Sequence, residues 1–260
     1  MPTLEEVLKT YGQIPELTTF KKPMFVGPHP DDIEFGCGAL ISKLKELNVP
    51  VTYVIVTDGA AGSMDPSVTP EMLKETRKEE TLNAAKFMNV SNVEFLDLED
   101  GGNFVAEDVI QKLAPVILKY QPDIIFAPDN KLKTECHHDH LVVAEAVRYL
   151  MQIVPHPESL RRHNVNIDGI TNFPANITLA LYFADMPNKK VEISENNLGE
   201  KIQSLLLHTS QMQDASTELL LNYFKLKAMK EGENTSTGLA ESYEVLVPLT
   251  QHVYMEGIYY

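Results

Sequence analysis

Residues 26–40 read VGPHPDDIEFGCGAL, and they place His29, Asp31 and Asp32 directly after an apolar segment. The preceding residues, KPMFVGPH, predict a short buried strand. The following residues, CGALISKLKELN, have apolar side chains at helical spacing and predict a helix. The stretch therefore predicts a turn from strand to helix that carries one imidazole and two carboxylates.

The same alternation of strand and helix recurs through residues 1–155. Strands are also predicted at VPVTYVIVTDG, VEFLDL and DIIFAP, and helices at PEMLKETRKEETLNAAKFMN, AEDVIQKLAPVILKY and HLVVAEAVRYLMQI. This pattern predicts a Rossmann-like, doubly wound α/β fold with a mostly parallel sheet. Ligands of such sheets bind at the carboxyl ends of the strands. The polar segments HPDD, TDGAAG, LDLEDG and APDN…HHDH all follow predicted strands, so we expect them to meet at one rim.

Residues 156–260 are less regular, and we interpret them as a smaller α+β portion that completes the pocket. With residues 1–155 as the core, the whole chain of 260 residues is expected to form one domain. HPESLRRHNVNIDG is predicted as loop, ITLALYFAD as a strand, and LGEKIQSLLLHTSQM and STELLLNYFKLKAMKEG as helices. A short strand or coil follows, and the aromatic tail HVYMEGIYY is predicted to pack at an edge or a subunit contact.

Charge and composition disfavour several classes of function. A net charge of −15 argues against the phosphate contacts of a nucleic-acid binder and against an anionic membrane surface. The first residues, MPTLEEVLKTYGQ, lack the apolar core of a signal peptide, and no apolar run approaches the length of a membrane span. The two cysteines, Cys37 and Cys136, suit a reducing compartment. We therefore expect a cytoplasmic protein with neither nucleic acid nor a membrane as a partner.

Two pairs of polar residues have the spacing of a metal site. His29 and Asp32 lie three residues apart, as do His137 and His140 at the start of a predicted helix, where such residues share a face. Catalytic zinc sites commonly use three nitrogen or carboxylate ligands and leave one position for water. His29, Asp32 and His140 would make such a set, which also suits ferrous iron or cobalt. A solvated loop is the commoner explanation for either motif alone, whereas both motifs on one predicted edge favour the metal site.

Polar residues beside these ligands predict the chemistry. Asp31 adjoins the predicted ligands without belonging to the set, which is the position of a general base acting on metal-activated water. Asp139 could accept a hydrogen bond from the His137 ring and hold it protonated and oriented. His137 could then stabilise an oxyanion or protonate a leaving amine, and the spacing leaves open whether Asp31 or His137 performs the second task.

At these residues the chain resembles the LmbE/PIG-L family of zinc-dependent N-deacetylases. The resemblance runs in order over nearly the whole chain, through PHPDDIEFGCGALI, TDGAAG, ETRKEETLNAA, LDLEDG, HHDH, EKIQSLLLHTSQ and GLAESYEV. It implies a Rossmann-like fold, Zn²⁺ as cofactor, and removal of an N-acetyl group from a small N-acetylglucosamine-type sugar by zinc-activated water. It also implies the site residues already named: ligands His29, Asp32 and His140, base Asp31, and His137 backed by Asp139 as the transition-state partner.

Three further residues are expected to bind substrate, each against a simpler interpretation. Arg77 could be a solvated arginine on a polar helix face, but the family's Arg-x-x-Glu pattern favours contact with substrate. Asp97 ends a predicted strand, where it binds sugar hydroxyls or caps the following turn. His208 falls in a predicted apolar helix, where core packing is usual, but the family's H-x-S-Q context favours the pocket wall.

The resemblance leaves the substrate and one alternative open. A free chitin-derived sugar, a glucosaminyl malate or inositol conjugate, and another small acetamide all remain candidates. Family members often form trimers or hexamers, so we expect a homo-oligomer. The alternative function is a catalytically silent sugar- or metal-binding module of the same fold. The intact Asp31 and the His137–Asp139 pair argue against that alternative.

Overall fold

The computed structural model describes Thr3, Glu6, residues 13–212 and residues 216–252. Most of the N-terminal stretch and residues 253–260 of the aromatic tail lie outside the described residues, so the expectations for those two segments stay predictions. Among the helices that are described, none combines the length and the apolar character that crossing a membrane requires.

The described residues form one mostly parallel sheet of seven strands in the order β3-β2-β1-β4-β5-β7-β6. The strands are β1 Pro23–Gly27, β2 Thr52–Thr57, β3 Asn92–Leu98, β4 Ile124–Pro128, β5 Thr178–Tyr182, β6 Lys189–Glu192 and β7 Ala240–Leu246. Strands β1 to β5 pair in parallel, whereas β7 runs antiparallel to both β5 and β6. The predicted α/β fold is therefore confirmed.

Helices connect these strands. They are α1 Asp32–Glu46, α2 Pro70–Phe87, α3 Ala106–Tyr120, α4 His138–Ile153, α5 Pro157–Arg162, α6 Glu195–Leu206 and α7 Ser216–Glu231. The predicted bounds of α3 are confirmed, and in α2 the side chain of Thr69 caps the helix before a proline at the first helical position. The prediction of loop at HPESLRRHNVNIDG was wrong in part, because Pro157 opens the short helix α5 there.

Helices pack on both faces of the sheet, as predicted. One apolar cluster joins the sheet to α3 and α4, with Leu113, Ile117 and Val147 among its buried members. The other joins the opposite face to α1, whose Leu40 and Ile41 are fully buried. Adjacent β1 and β4 lead to connections on opposite sides, so the sheet has a topological switch point between them. Ligands of open α/β sheets bind at such a point.

Helix α1 is supported from behind by the C-terminal portion of the chain. A Cβ atom added at Gly36 would overlap the ring of Tyr182, so only glycine allows this close approach. The buried carboxylate of Glu241 accepts the backbone N–H of Leu40 at 2.8 Å and forms an ion pair with Lys201 at 2.6 Å. The position of the helix that begins at Asp32 therefore depends on residues from β5, α6 and β7.

Candidate active site

An open cavity of about 310 Å³ lies at the carboxyl ends of the parallel strands. It collects side chains from the loops after β1, β2, β3 and β4, which confirms that these loops share a rim. Its lining residues are His29, Asp31, Ala61, Gly62, Arg77, Asp100, Gly101, His137 and Gln211.

Three predicted metal ligands converge beside this cavity. His29 Nδ1 lies 3.0 Å from Asp32 Oδ2, and His140 Nε2 lies 3.2 Å from both that oxygen and His29 Nδ1. Metal–ligand distances of roughly 2.0–2.2 Å in a tetrahedral zinc site place donor atoms about 3.3–3.6 Å apart, close to these separations. Two imidazole nitrogens and a carboxylate oxygen at this spacing fit a divalent cation. The same donors suit zinc, ferrous iron or cobalt.

The outward nitrogens of both histidines face carboxylates. His29 Nε2 lies 3.2 Å from Asp100 Oδ1 and 3.2 Å from Asp139 Oδ2, while His140 Nδ1 lies 2.9 Å from Glu135 Oε2. Carboxylates in these positions hold the proton on the outward nitrogen and leave the inward nitrogen free to bind a metal. Burial lowers the pKa of His29, but hydrogen bonds to Asp100, Asp139 and Asp32 outweigh it and raise the pKa to about 12.

Two other groups of donor atoms lie within 4.8 Å of one another: His29, His137 and His140, and His29, Asp100 and Asp139. We favour Asp32 as the third ligand because its Oδ2 lies close to the inward nitrogens of both His29 and His140. Burial raises the pKa of Asp32, but the two histidines hold it below its usual range.

Asp31 is buried at the cavity floor in a strained backbone conformation. Its φ of 100° lies in the left-handed region, which costs a non-glycine residue about 1–3 kcal/mol. Arg77 holds this turn, since its Nη2 donates to the Pro30 carbonyl at 2.6 Å and to Asp31 Oδ2 at 3.2 Å. Burial raises the pKa of Asp31 to about 7, with Arg77 lowering it and Asp32 raising it. A bound dication would lower this pKa further.

His137 lines the cavity beside the predicted ligands His29 and His140, but it is not backed by Asp139. Its ring centroid lies 4.6 Å from that of His29. Asp139 instead accepts the N–H of Gly101 at 2.9 Å and faces His29, and no hydrogen bond joins Asp139 to His137 in the described part of the chain. Residues two apart at a helix start point in different directions, which explains the difference. Burial and the nearby positive His29 and His140 lower the pKa of His137.

The structure brings only one of the three predicted substrate-binding residues to the cavity. Arg77 lines it, whereas the Asp97 side chain is 45% exposed and pairs with Lys74 at 2.9 Å. His208 follows the end of α6 rather than lying within it, and it is fully buried with its Nε2 3.6 Å from Glu34 Oε2. His208 therefore lies in the interior and does not form the cavity wall.

Sequence reasoning missed three residues of the site: Asp100, Glu135 and Gln211. Asp100 lies in the quoted segment LDLEDG and precedes two glycines, which was a usable signal. Gln211 belongs to the H-x-S-Q segment, and Glu80 holds this segment by accepting the Ser210 N–H at 2.6 Å. Glu135 carried no motif signal of its own.

A mostly parallel α/β sheet with two histidines and a carboxylate converging at its switch point defines a class: open-sheet α/β proteins with a candidate catalytic metal centre. Residues 24–151 match the family model described as PIG-L: GlcNAc-PI de-N-acetylase. This match confirms the resemblance to the PIG-L (LmbE-like) family.

The chain is similar to several deacetylases. It is 28% identical over 244 residues to a diacetylchitobiose deacetylase of Thermococcus kodakarensis, covering 90% of this chain and 86% of that protein. It is 27% identical to a probable N-acetyl-alpha-D-glucosaminyl L-malate deacetylase 2 of Bacillus anthracis, covering 77% and 85%. The solved N,N'-diacetylchitobiose deacetylase of Pyrococcus horikoshii superposes with a TM-score of 0.87 at 28% identity, covering 97% and 96%.

Proposed function

We propose that this chain is a zinc-dependent N-deacetylase that hydrolyses the N-acetyl group of a small N-acetylglucosamine-type sugar. The observation that carries the proposal is the triangle of His29 Nδ1, Asp32 Oδ2 and His140 Nε2, with sides of 3.0–3.2 Å, next to the Asp31 carboxylate, which is not part of the triangle. The relatives named above act on diacetylchitobiose or on a glucosaminyl malate, which supports an acetamido sugar as the substrate.

His29, Asp32 and His140 would hold the zinc ion, which supplies a Lewis acid that polarises the amide carbonyl and lowers the pKa of water. Asp31 accepts the proton of the attacking water, since its buried carboxylate lines the cavity and lies outside the proposed ligand set. Asp31 then donates this proton to the leaving amine. Arg77 keeps the Asp31 carboxylate directed into the cavity.

His137 lies where it can donate a hydrogen bond to the amide oxygen as negative charge develops. It borders the cavity within 5.0 Å, between ring centroids, of the ligand His140. Donors placed at the site of a developing oxyanion stabilise the transition state more than the substrate. Because Asp139 contacts His29 instead, its part in the proposal is to orient a zinc ligand.

The cavity has the polar lining that a sugar requires. Asp100, Gln211 and Arg77 place carboxylate, carboxamide and guanidinium groups on its wall, where they can contact hydroxyls. The buried His208 and the exposed Asp97 would act on substrate only indirectly. We further propose a cytoplasmic location, because the two cysteines suit a reducing compartment. We also propose a homo-oligomer, a trimer or a hexamer, as the family resemblance implies.

Acetate release tests this function. Zinc-loaded protein is incubated with N-acetylglucosamine, diacetylchitobiose, an N-acetylglucosaminyl malate and a simple acetamide, and a chelator-treated sample serves as the blank. We expect release from at least one acetamido sugar, and none from the chelated sample. Zinc bound at one ion per chain without acetate from any substrate would favour a binding module instead.

Two carboxylates of one segment give opposite predictions. Asp97→Asn should leave kcat/KM within about twofold of wild type, because an exposed group away from the cavity contributes little. Asp100→Asn should lower kcat/KM by more than tenfold, because Asp100 faces both His29 and the cavity. Steady-state acetate release measures both variants, and a larger loss in Asp97→Asn than in Asp100→Asn would contradict the placement.

A further inference from the structure

We propose that Glu135 is a positioning residue that holds the ligand His140 and sets the zinc affinity of the site. The inference rests on the proposed function, because it takes His140 as a zinc ligand. Glu135 lies in the loop between β4 and α4, and its side chain is only 18% exposed. Its Oε2 lies 2.9 Å from His140 Nδ1, the ring nitrogen that faces away from Asp32 and His29.

The contact selects one tautomer of His140. Nε2 must carry no proton if it is to bind a metal, so the proton of the neutral ring must reside on Nδ1. A carboxylate 2.9 Å from Nδ1 accepts that proton in a hydrogen bond and so favours the tautomer that binds. Without the carboxylate, the ring is free to rotate and to populate the other tautomer.

His140 depends on this one carboxylate more than His29 depends on either of its own. The outward nitrogen of His29 has both Asp100 and Asp139 within 3.2 Å. Among the described residues, Glu135 is the only partner that the outward nitrogen of His140 has. In the part of the chain that the structure describes, no second carboxylate is therefore in place to contact His140 Nδ1 if Glu135 is removed.

Glu135 also holds His137, the residue that caps the start of helix α4. Its Oε1 accepts the backbone N–H of His137 at 2.7 Å, while Oε2 faces His140. One carboxylate thus bridges the chain segment of the proposed oxyanion donor and the ring of a proposed ligand. A change in Glu135 should affect both the metal and the placement of His137.

The test measures zinc affinity by competition with a chromogenic chelator, on apo protein titrated with zinc. Glu135→Ala should bind zinc about 10–100-fold more weakly than wild type, which is the usual effect of removing such an outer partner. Glu135→Gln, which keeps the size and one acceptor oxygen, should fall between the two. Glu145→Ala removes an exposed carboxylate from helix α4, the helix that carries His140, and should bind zinc as wild type does.

A second readout separates positioning from general destabilisation. ¹⁵N chemical shifts of the His140 ring should show the Nδ1–H tautomer in wild type and a mixture in Glu135→Ala, while both proteins keep the same melting temperature within a few degrees. Equal zinc affinity in wild type, Glu135→Gln and Glu135→Ala would overturn the inference. Zinc binding that follows the expected order, with no acetate released by wild type, would overturn the proposed function and leave the inference standing.

Discussion

Asp31→Asn should bind zinc as wild type does and release acetate roughly 10²–10⁴-fold more slowly, the usual contribution of a general base. The amide cannot accept a proton from water, but it matches the carboxylate in shape and still accepts a hydrogen bond from Arg77. Asparagine also tolerates a positive φ better than most residues, so the turn with φ of 100° should persist. Single-turnover acetate release on zinc-loaded protein measures the loss.

The matched control is Asp168→Asn, the same change at an exposed carboxylate outside the cavity. It should match wild type in both zinc content and rate. Turnover close to wild type in zinc-loaded Asp31→Asn would remove Asp31 from its role as base.

His140→Ala should reduce activity to the level of chelated protein, because two ligands remain where three converge. We expect zinc affinity to fall by more than the roughly 100-fold that outer partners cost at most. Zinc content after dialysis and acetate release under saturating zinc measure the two effects.

His138→Ala provides the control, since this neighbouring histidine is exposed on the first turn of α4. It should keep both zinc and activity. If His140→Ala retained stoichiometric zinc at wild-type affinity, the ligand set would have to be drawn instead from His29 with Asp100 and Asp139.

The alternating strands and helices of the core could be predicted, because the spacing of apolar residues and the length of each segment distinguish a strand from a helix. Strand β6 escaped prediction because it has only four residues, two of them lysines, and pairs only with β7 at the sheet edge. The ligand set could be proposed from spacing because β1 and β4 are neighbours, which brings HPDD and HHDH together. Two motifs that are weak on their own therefore form one site because they follow neighbouring parallel strands.

The direction of individual side chains was less accessible to sequence reasoning. Asp139 was expected against His137 because the two are close in sequence, yet it reaches His29 from across the sheet. Asp97 and Asp100 lie in the same segment, LDLEDG. Only the turn after β3 decides that Asp100 enters the cavity and Asp97 does not. His208 was placed in a helix that ends two residues earlier, at Leu206. These differences depend on local dihedral angles, which residue types alone do not specify.

Because Tyr182 and Glu241 support helix α1, the site depends on residues outside the segments that carry its reactive groups. All proposed ligands and the base lie before residue 141, so a fragment ending there would carry every reactive group. Such a fragment would nevertheless expose the face of α1 that packs against the C-terminal portion, and the N–H of Leu40 would lose its hydrogen bond to Glu241. Truncation or fusion in the C-terminal portion should therefore impair catalysis without touching a catalytic atom. A gene fragment that preserves the signature motifs is then a poor guide to whether its product is active.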